Sequence, residues 1–282
     1  MERYDTIDAL RAALGRARQT GRSIGLVPTM GYLHAGHLEL VRRARAENDI
    51  TVVSIFVNPT QFAPSEDFST YPRDMERDLA LLAQSGVDAV FTPGVEEMYP
   101  QPLQTTISLK PLGDILIGKV RPGHFSGVAT VVAKLFNIVQ PTRAYFGEKD
   151  FQQLTVIRRM VDDLNVPVEI VGVPTVREVD GLAMSSRNVR LSPQDRQAAR
   201  VLSKALFEGA AMIEAGESDA AGILAKMTAR IVAEPGVTLR SLDICDARDL
   251  APVETIDRPV VVLVTAEVGP VLLIDQREAR PA

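Results

Sequence analysis

The sequence predicts an α/β fold: a doubly wound parallel sheet followed by a smaller C-terminal α+β unit. Three observations predict it. Short apolar runs rich in β-branched residues alternate with amphipathic stretches over the first 175 residues, the pattern of a parallel sheet with helices on both faces. A strand-like segment, 24–27, runs through a glycine-bearing loop, 28–35, into a helix whose apolar edge begins at Leu38 and Val41. After Ser192 the order changes to two long helices and then three strands. The first part, 1–175, therefore reads as a Rossmann-like unit and 185–282 as a separate α+β domain, with the boundary between 174 and 191.

In chain order, residues 6–17 read as a helix with Leu10 and Leu14 on one face. The near-continuous apolar run 50–57 is a strand buried on both sides. A long polar loop, 58–71, is the candidate to close over a ligand. Pro72 is expected to open the next helix, with Met75, Leu79 and Leu82 inward and Gly86 at its end. Strands are expected at 89–91, 105–109, 143–146 and 168–173, and helices at 128–139 and 151–162. In the C-terminal part, 193–215 and 219–232 read as helices and 239–245, 260–267 and 271–275 as strands. Gly269 and Pro270 join the last two into a hairpin.

The chain has 282 residues, 46% of them hydrophobic, enough for a sizeable core. A net charge of −5 argues against a protein that lives on nucleic acid or an anionic membrane. The start, Met1-Glu-Arg-Tyr-Asp, lacks the apolar core of a signal peptide, and no apolar run approaches the ~20 residues of a membrane helix. A soluble cytoplasmic protein is expected. The single cysteine, Cys245, lies in an apolar run and reads as a buried thiol.

The candidate chemistry begins in the loop 28–37. A glycine-bearing turn leading into a helix aims backbone N–H groups and the helix dipole at an anion. His34 and His37, three apart, share a face if both lie in the first turn. Either protonation state suits a phosphate. Gly31-x4-Gly36 lacks the Lys and Ser/Thr of a Walker loop, as Gly113-x4-Gly118-Lys119 lacks its Ser/Thr. Zinc would need further ligands, and the chain holds one other histidine and one cysteine. Met30, Asn58 and Gln61, residues 147–150, Val176, and residues 184–187 all follow predicted strands. In an open parallel sheet those ends share one edge, so these segments should meet there. Taken singly, each has a plainer reading: helix-start polars for the histidines, a solvated charge run for Lys149, a surface turn for Ser185-Ser186-Arg187, exposed amides for Gln61 and Gln153, a loop holder for His124.

Together these residues resemble the pantoate–β-alanine ligase (pantothenate synthetase) family. The carriers are Pro-Thr-Met-Gly-x-Leu-His-x-Gly-His at 28–37, Phe-Val-Asn-Pro-Thr-Gln-Phe at 56–62, Tyr-Pro-Arg at 71–73, Arg-Pro-Gly-His-Phe at 121–125, Phe-Gly-Glu-Lys-Asp-Phe-Gln-Gln at 146–153, and Asp-Gly-Leu-Ala-Met-Ser-Ser-Arg-Asn at 180–188. Tyr32, Phe151 and Val189-Arg190 differ from the family's usual residues. The His-x-Gly-His element alone is shared by a wider nucleotidylyltransferase superfamily, so a transferase acting on a phosphorylated small molecule stands as the alternative. A non-catalytic nucleotide sensor or tRNA-binding relative is a third, opposed by the acidic balance.

The resemblance implies condensation of pantoate with β-alanine, with ATP as substrate and Mg²⁺, through a pantoyl adenylate. It implies ATP contacts from Met30, Gly31, Tyr32, Leu33, His34, Ala35, Gly36, His37, Gly147, Glu148, Lys149, Asp150, Val176, Met184, Ser185, Ser186 and Arg187. His37 is the implied proton donor, with His34, Lys149 and Arg187 as further catalytic residues. Gln61, Gln153 and Asn58 would meet pantoate or β-alanine, and Asp78 or Asp150 would be outer ligands of Mg²⁺. The first domain would hold nucleotide and pantoate, the second would close over the site, and the chain would form a homodimer.

Overall fold

The computed structural model describes residues 1–63 and 68–282. Of the loop 58–71, residues Pro64, Ser65, Glu66 and Asp67 lie outside the described residues. The chain forms two compact units, Met1–Gly147 with Val156–Pro174, and Glu148–Thr155 with Thr175–Ala282. The division differs from a cut at 175 and 185: residues 148–155 and 175–184 count with the second unit.

The first unit runs β1 (Glu2–Tyr4), α1 (Ile7–Gln19), β2 (Ile24–Thr29), α2 (Ala35–Glu47), β3 (Ile50–Ile55), α3 (Met75–Gln84), β4 (Ala89–Phe91), α4 (Val95–Met98), α5 (Ile117–Val120), α6 (His124–Val139) and β5 (Arg143–Gly147). It continues through α7 (Phe151–Asp163), whose first turns belong to the second unit, to β6 (Glu169–Val173). The sheet order is β1-β4-β3-β2-β5-β6, and every pair is parallel. From β2 the chain winds outward to β3 and β4, then restarts on the other side with β5 and β6. The order therefore reverses between β2 and β5, and ligands bind outside the strand ends at such a switch. Val27, Val53 and Val90 line one sheet face with Leu40, Val41 and Leu82 of the helices packed on it. This burial is why β3 reads as a near-continuous apolar run.

Several local expectations need correction. β1 is a three-residue edge strand pairing Glu2–Tyr4 with β4, too short to show a period. The expected strand at 105–109 does not form. Its backbone is instead held by side chains of α6: Thr130 Oγ1 accepts from Ile107 N at 2.9 Å, and Ser126 Oγ donates to Ile107 O at 2.8 Å. α6 itself starts at His124, four residues earlier than its apolar stripe suggested, because Gly123 supplies the left-handed entry at φ +82°. α3 starts at Met75 rather than Pro72, since Asp74 is the residue that caps it, accepting from Arg77 N at 3.1 Å. Met75 faces outward.

The second unit contains α8 (Pro193–Glu214), α9 (Ala220–Val232), β7 (Val237–Asp246), β8 (Val260–Val268) and β9 (Val271–Ala279). The strands form an antiparallel sheet in the order β7-β8-β9, each longer than its apolar stripe indicated. Ser192 caps α8 before Pro193, and Asp219 caps α9. Leu202, Leu206, Ile213, Ile223 and Met227 of the helices meet Val262 and Val264 of the sheet in one core. Cys245 is buried, and burial pushes its thiol up to about 12, as befits a core residue rather than a nucleophile.

Candidate active site

The loop between β2 and α2 is built from inside. Thr29 Oγ1 donates to Ser54 O at 2.8 Å and accepts from Gly31 N at 3.2 Å. Gly31 and Tyr32 then take left-handed conformations in succession, φ +83° and +50°. This strained pair is held by Asp78 from the first turn of α3, whose carboxylate accepts from Tyr32 N at 2.6 Å and Leu33 N at 2.7 Å. Asp78 is 1% exposed, and burial raises its carboxyl above the ordinary value against the pull of the Leu33 and Tyr32 amides and of Arg77. A Cβ on Gly31 would lie 3.0 Å from Asp78 Oδ2, so glycine is required there for space as well as for φ.

The clamp delivers His34 to the N-cap of α2. His34 Nδ1 accepts from Gly36 N at 3.2 Å, and His37 Nδ1 accepts from His34 N at 3.3 Å, a reciprocal capping box made by two imidazoles. Their rings lie 4.0 Å apart at 36°. Because both Nδ1 atoms accept, the neutral rings carry their protons on Nε2. The two histidines are thus one rigid unit at the positive end of α2, beside the β2/β5 switch. Ala35 and Gly36 form the first turn of that helix, and Gly147 ends β5.

The amide expected to read the acid substrate is held as firmly. A 3-10 turn, Pro59–Gln61, follows β3. Gln61 is 8% exposed; its Nε2 donates to Met30 Sδ at 3.3 Å, and its Oε1 accepts from Asn58 Nδ2 at 3.1 Å. Asn58, 1% exposed, also bonds Gly127 O, Thr60 and the Tyr99 hydroxyl. These bonds make Asn58 a support for Gln61. A largely apolar cleft of about 280 Å³ is lined by Met30, Gly31, Phe56, Arg73, Asp78 and Val95 among others, with neither His34 nor His37 in its wall.

The second unit carries the remaining candidates. Glu148, Lys149 and Asp150 form a 3-10 turn at the head of α7, which also bears Gln153. Lys149 Nζ lies 3.9 Å from Asp150 Oδ2, with the lysine largely covered and the aspartate half exposed. Val176 and Met184 are paired by Met184 N donating to Val176 O at 3.0 Å across a small hairpin. That hairpin is pinned twice. Arg177 makes a two-pronged bond to Asp275 of β9 at 2.7 and 2.9 Å, and Arg196 of α8 grips Glu178 and Asp180 at 2.7 and 3.0 Å. Beyond it Ser185 Oγ accepts from Arg187 N at 3.3 Å, capping the 3-10 turn Ser186–Arg190.

The structure thus groups Met30 to His37, Asn58, Gln61 and Asp78 on the first unit, with Gly147 at the end of β5, and the other candidates on the second. The expected magnesium ligands do not form a metal cage. Both oxygens of Asp78 already hold the loop, and among the described residues no group of three or more His, Cys, Asp or Glu is placed around a metal. Mg²⁺ commonly enters such sites on nucleotide phosphates with few protein ligands. Tyr99 and Gly127 support the site without a sequence signal, because their roles exist only through contacts between elements.

Comparison with known proteins gives a consistent result. The profile of the family described as pantoate-beta-alanine ligase matches residues 2–278. Pantothenate synthetase of Rhizobium etli is 55% identical over 277 residues, 98% of this chain and 93% of that protein. The enzyme of that name from Moorella thermoacetica is 55% identical over 275 residues, 98% and 97% of the two chains. The crystal structure of pantothenate synthetase from Thermus thermophilus superposes with a TM-score of 0.95 at 51% identity, covering 100% of both chains. That of pantoate-beta-alanine ligase from Francisella tularensis, complexed with beta-gamma ATP and beta-alanine, gives 0.81 at 34% identity over 98% and 97%.

Proposed function

The chain belongs to the pantoate–β-alanine ligase family, and we propose that this enzyme makes pantothenate in two steps, through a pantoyl adenylate. A carboxylate is a poor acyl donor because its oxygen leaves badly. Attack of the pantoate carboxylate on the α-phosphorus of ATP expels pyrophosphate and converts that oxygen into part of AMP. The amine of β-alanine then attacks the acyl carbon, AMP departs, and the ammonium proton is lost to solvent or base.

The observation that carries this reading is the imidazole capping box at the head of α2. It presents two Nε2-protonated rings together with helix N–H dipoles, beside the β2/β5 switch. Displacement at phosphorus depends on positioning and charge stabilisation, which such a rigid donor set supplies. His34 and His37 therefore stabilise charge on the phosphates, with His37 giving its Nε2 proton to a phosphate oxygen. Lys149, Ser185, Ser186 and Arg187 of the second unit serve the same reaction as further donors. Gln61 and Gln153 hydrogen-bond pantoate. The Francisella enzyme was solved in complex with beta-gamma ATP and beta-alanine, which supports the same substrates here. Magnesium accompanies the nucleotide. Among the described residues no helix is long and apolar enough to cross a membrane. We assign a cytoplasmic homodimer, checked by sedimentation velocity and cell fractionation.

Incubation with ATP, pantoate and β-alanine tests the reading. AMP and pantothenate should form only when both organic substrates are present, and pantoate alone should drive isotope exchange between pyrophosphate and ATP. His37→Ala and Lys149→Ala should each slow adenylate formation by ~10²–10³, the range for a lost charge-stabilising donor. Pyrophosphate release that needs neither organic substrate would refute the assignment in favour of another nucleotidyl transfer.

A further inference from the structure

The chain has three histidines, and the reaction as described uses two. The third, His124, opens α6, with its ring held edge-on by Phe125 at 5.0 Å between centroids. Its Nδ1 lies 2.9 Å from the backbone oxygen of Gln61, and its Nε2 lies 3.1 Å from Nη1 of Arg121. Arg121 Nη2 reaches the same Gln61 oxygen at 3.4 Å. A carbonyl oxygen only accepts and a guanidinium only donates. These two neighbours therefore fix the ring as neutral, with its proton on Nδ1 and its lone pair on Nε2. This is the opposite tautomer to that of His34 and His37.

The consequence falls on Gln61. Its side chain is aimed by Asn58 and Met30, and its backbone by His124 with Arg121. A carbonyl that loses its short donor and keeps the longer 3.4 Å contact from Arg121 would draw the 3-10 turn toward other partners and carry the amide with it. We propose that His124, kept in its Nδ1-protonated form by Arg121, is a positioning residue for the acid-substrate subsite: it determines where Gln61 presents its amide. This inference rests on the reading that Gln61 binds pantoate.

Two measurements on the full-length enzyme test it. In the first, the imidazole ¹⁵N shifts at neutral pH should show a protonated Nδ1 and an unprotonated Nε2 for His124. A proton on Nε2, or an imidazolium, overturns the proposal. In the second, His124→Ala should raise the KM for pantoate about tenfold, the scale of one lost hydrogen bond, with the KM for ATP unchanged. His124→Asn, whose amide nitrogen stands where Nδ1 stands, should recover most of that loss. A merely structural role would lower kcat through loss of folded enzyme and leave this KM split absent. Gln61→Ala separates the two levels. If it raises the pantoate KM while His124→Ala and His124→Asn both match wild type, the positioning role is overturned and the reading of Gln61 stands. If Gln61→Ala leaves the pantoate KM unmoved, both are overturned. Should His124→Ala fail to fold, the tautomer measurement and the comparison of His124→Asn with wild type decide.

Discussion

Asp78→Asn isolates the clamp on the loop between β2 and α2. The native carboxylate is 1% exposed and satisfies two amides, Tyr32 N at 2.6 Å and Leu33 N at 2.7 Å. The isosteric amide retains one accepting oxygen and turns an NH₂ toward the other N–H, leaving a buried donor unpaired. That costs about 1–3 kcal/mol. Removing a carboxylate that burial already disfavours offsets part of it, so a net loss of about 1–2 kcal/mol is expected. Tyr32, at φ +50°, is left-handed, a conformation that costs a non-glycine residue about 1–2 kcal/mol and persists only while the clamp holds. Released, the loop relaxes, and His34 and His37 move with it. A misplacement of that size lowers the rate of adenylate formation by ~10²-fold. Urea unfolding reads the stability loss, and single-turnover pyrophosphate release reads the rate. Wild-type values in both would refute the clamp. A magnesium titration adds a second criterion. A residue that acted by holding the metal would be rescued by excess Mg²⁺, whereas loss of a clamp is indifferent to it.

Two further outcomes follow from the same geometry. Gly127→Ala would place a Cβ 2.6 Å from the Thr60 carbonyl carbon and 2.8 Å from Gln61 Cα, so it should destabilise the protein by about 1–3 kcal/mol and raise the pantoate KM; an active, fully stable variant would show that this contact yields freely. Acid should loosen the second unit through Glu178, whose hydrogen bond from Arg196 holds its carboxyl below the ordinary value, and Asp246, lowered by the Arg248 amide. A lowered folded value means their stabilisation is present above the unfolded carboxylate range, about 4, and is lost as pH falls through the folded values. Glu178→Gln should flatten the acid limb of a thermal-unfolding profile, and a limb parallel to wild type would count against this account.

Much of the site was legible because its parts are local. The three-residue spacing of His34 and His37 is itself the capping-box spacing, so helix geometry brings the rings together. The polar residues after β2, β3 and β5 are marked by following strands whose apolar runs are unmistakable. Asp78 illustrates the limit. The family resemblance offered it as an outer ligand of Mg²⁺, yet its partners lie 45 and 46 residues away on another element. His124 reads as a loop holder in the sequence, but what it holds, the carbonyl of Gln61, is 63 residues distant. The segment 105–109 has the alternation of a strand, and only the hydroxyls of Ser126 and Thr130 show why it does not join the sheet.

The sequence by itself determined most of the order of strands and helices, the change of architecture after residue 192, and the pairing of His34 with His37 at the head of a helix, because periodicity and capping act over a few residues. Only the tertiary structure decided the sheet order that creates the β2/β5 switch, the Asp78 clamp, and the contact of His124 with the Gln61 carbonyl. Each of those depends on which buried donor meets which acceptor across the fold, and a pairing between distant elements leaves no period in the chain.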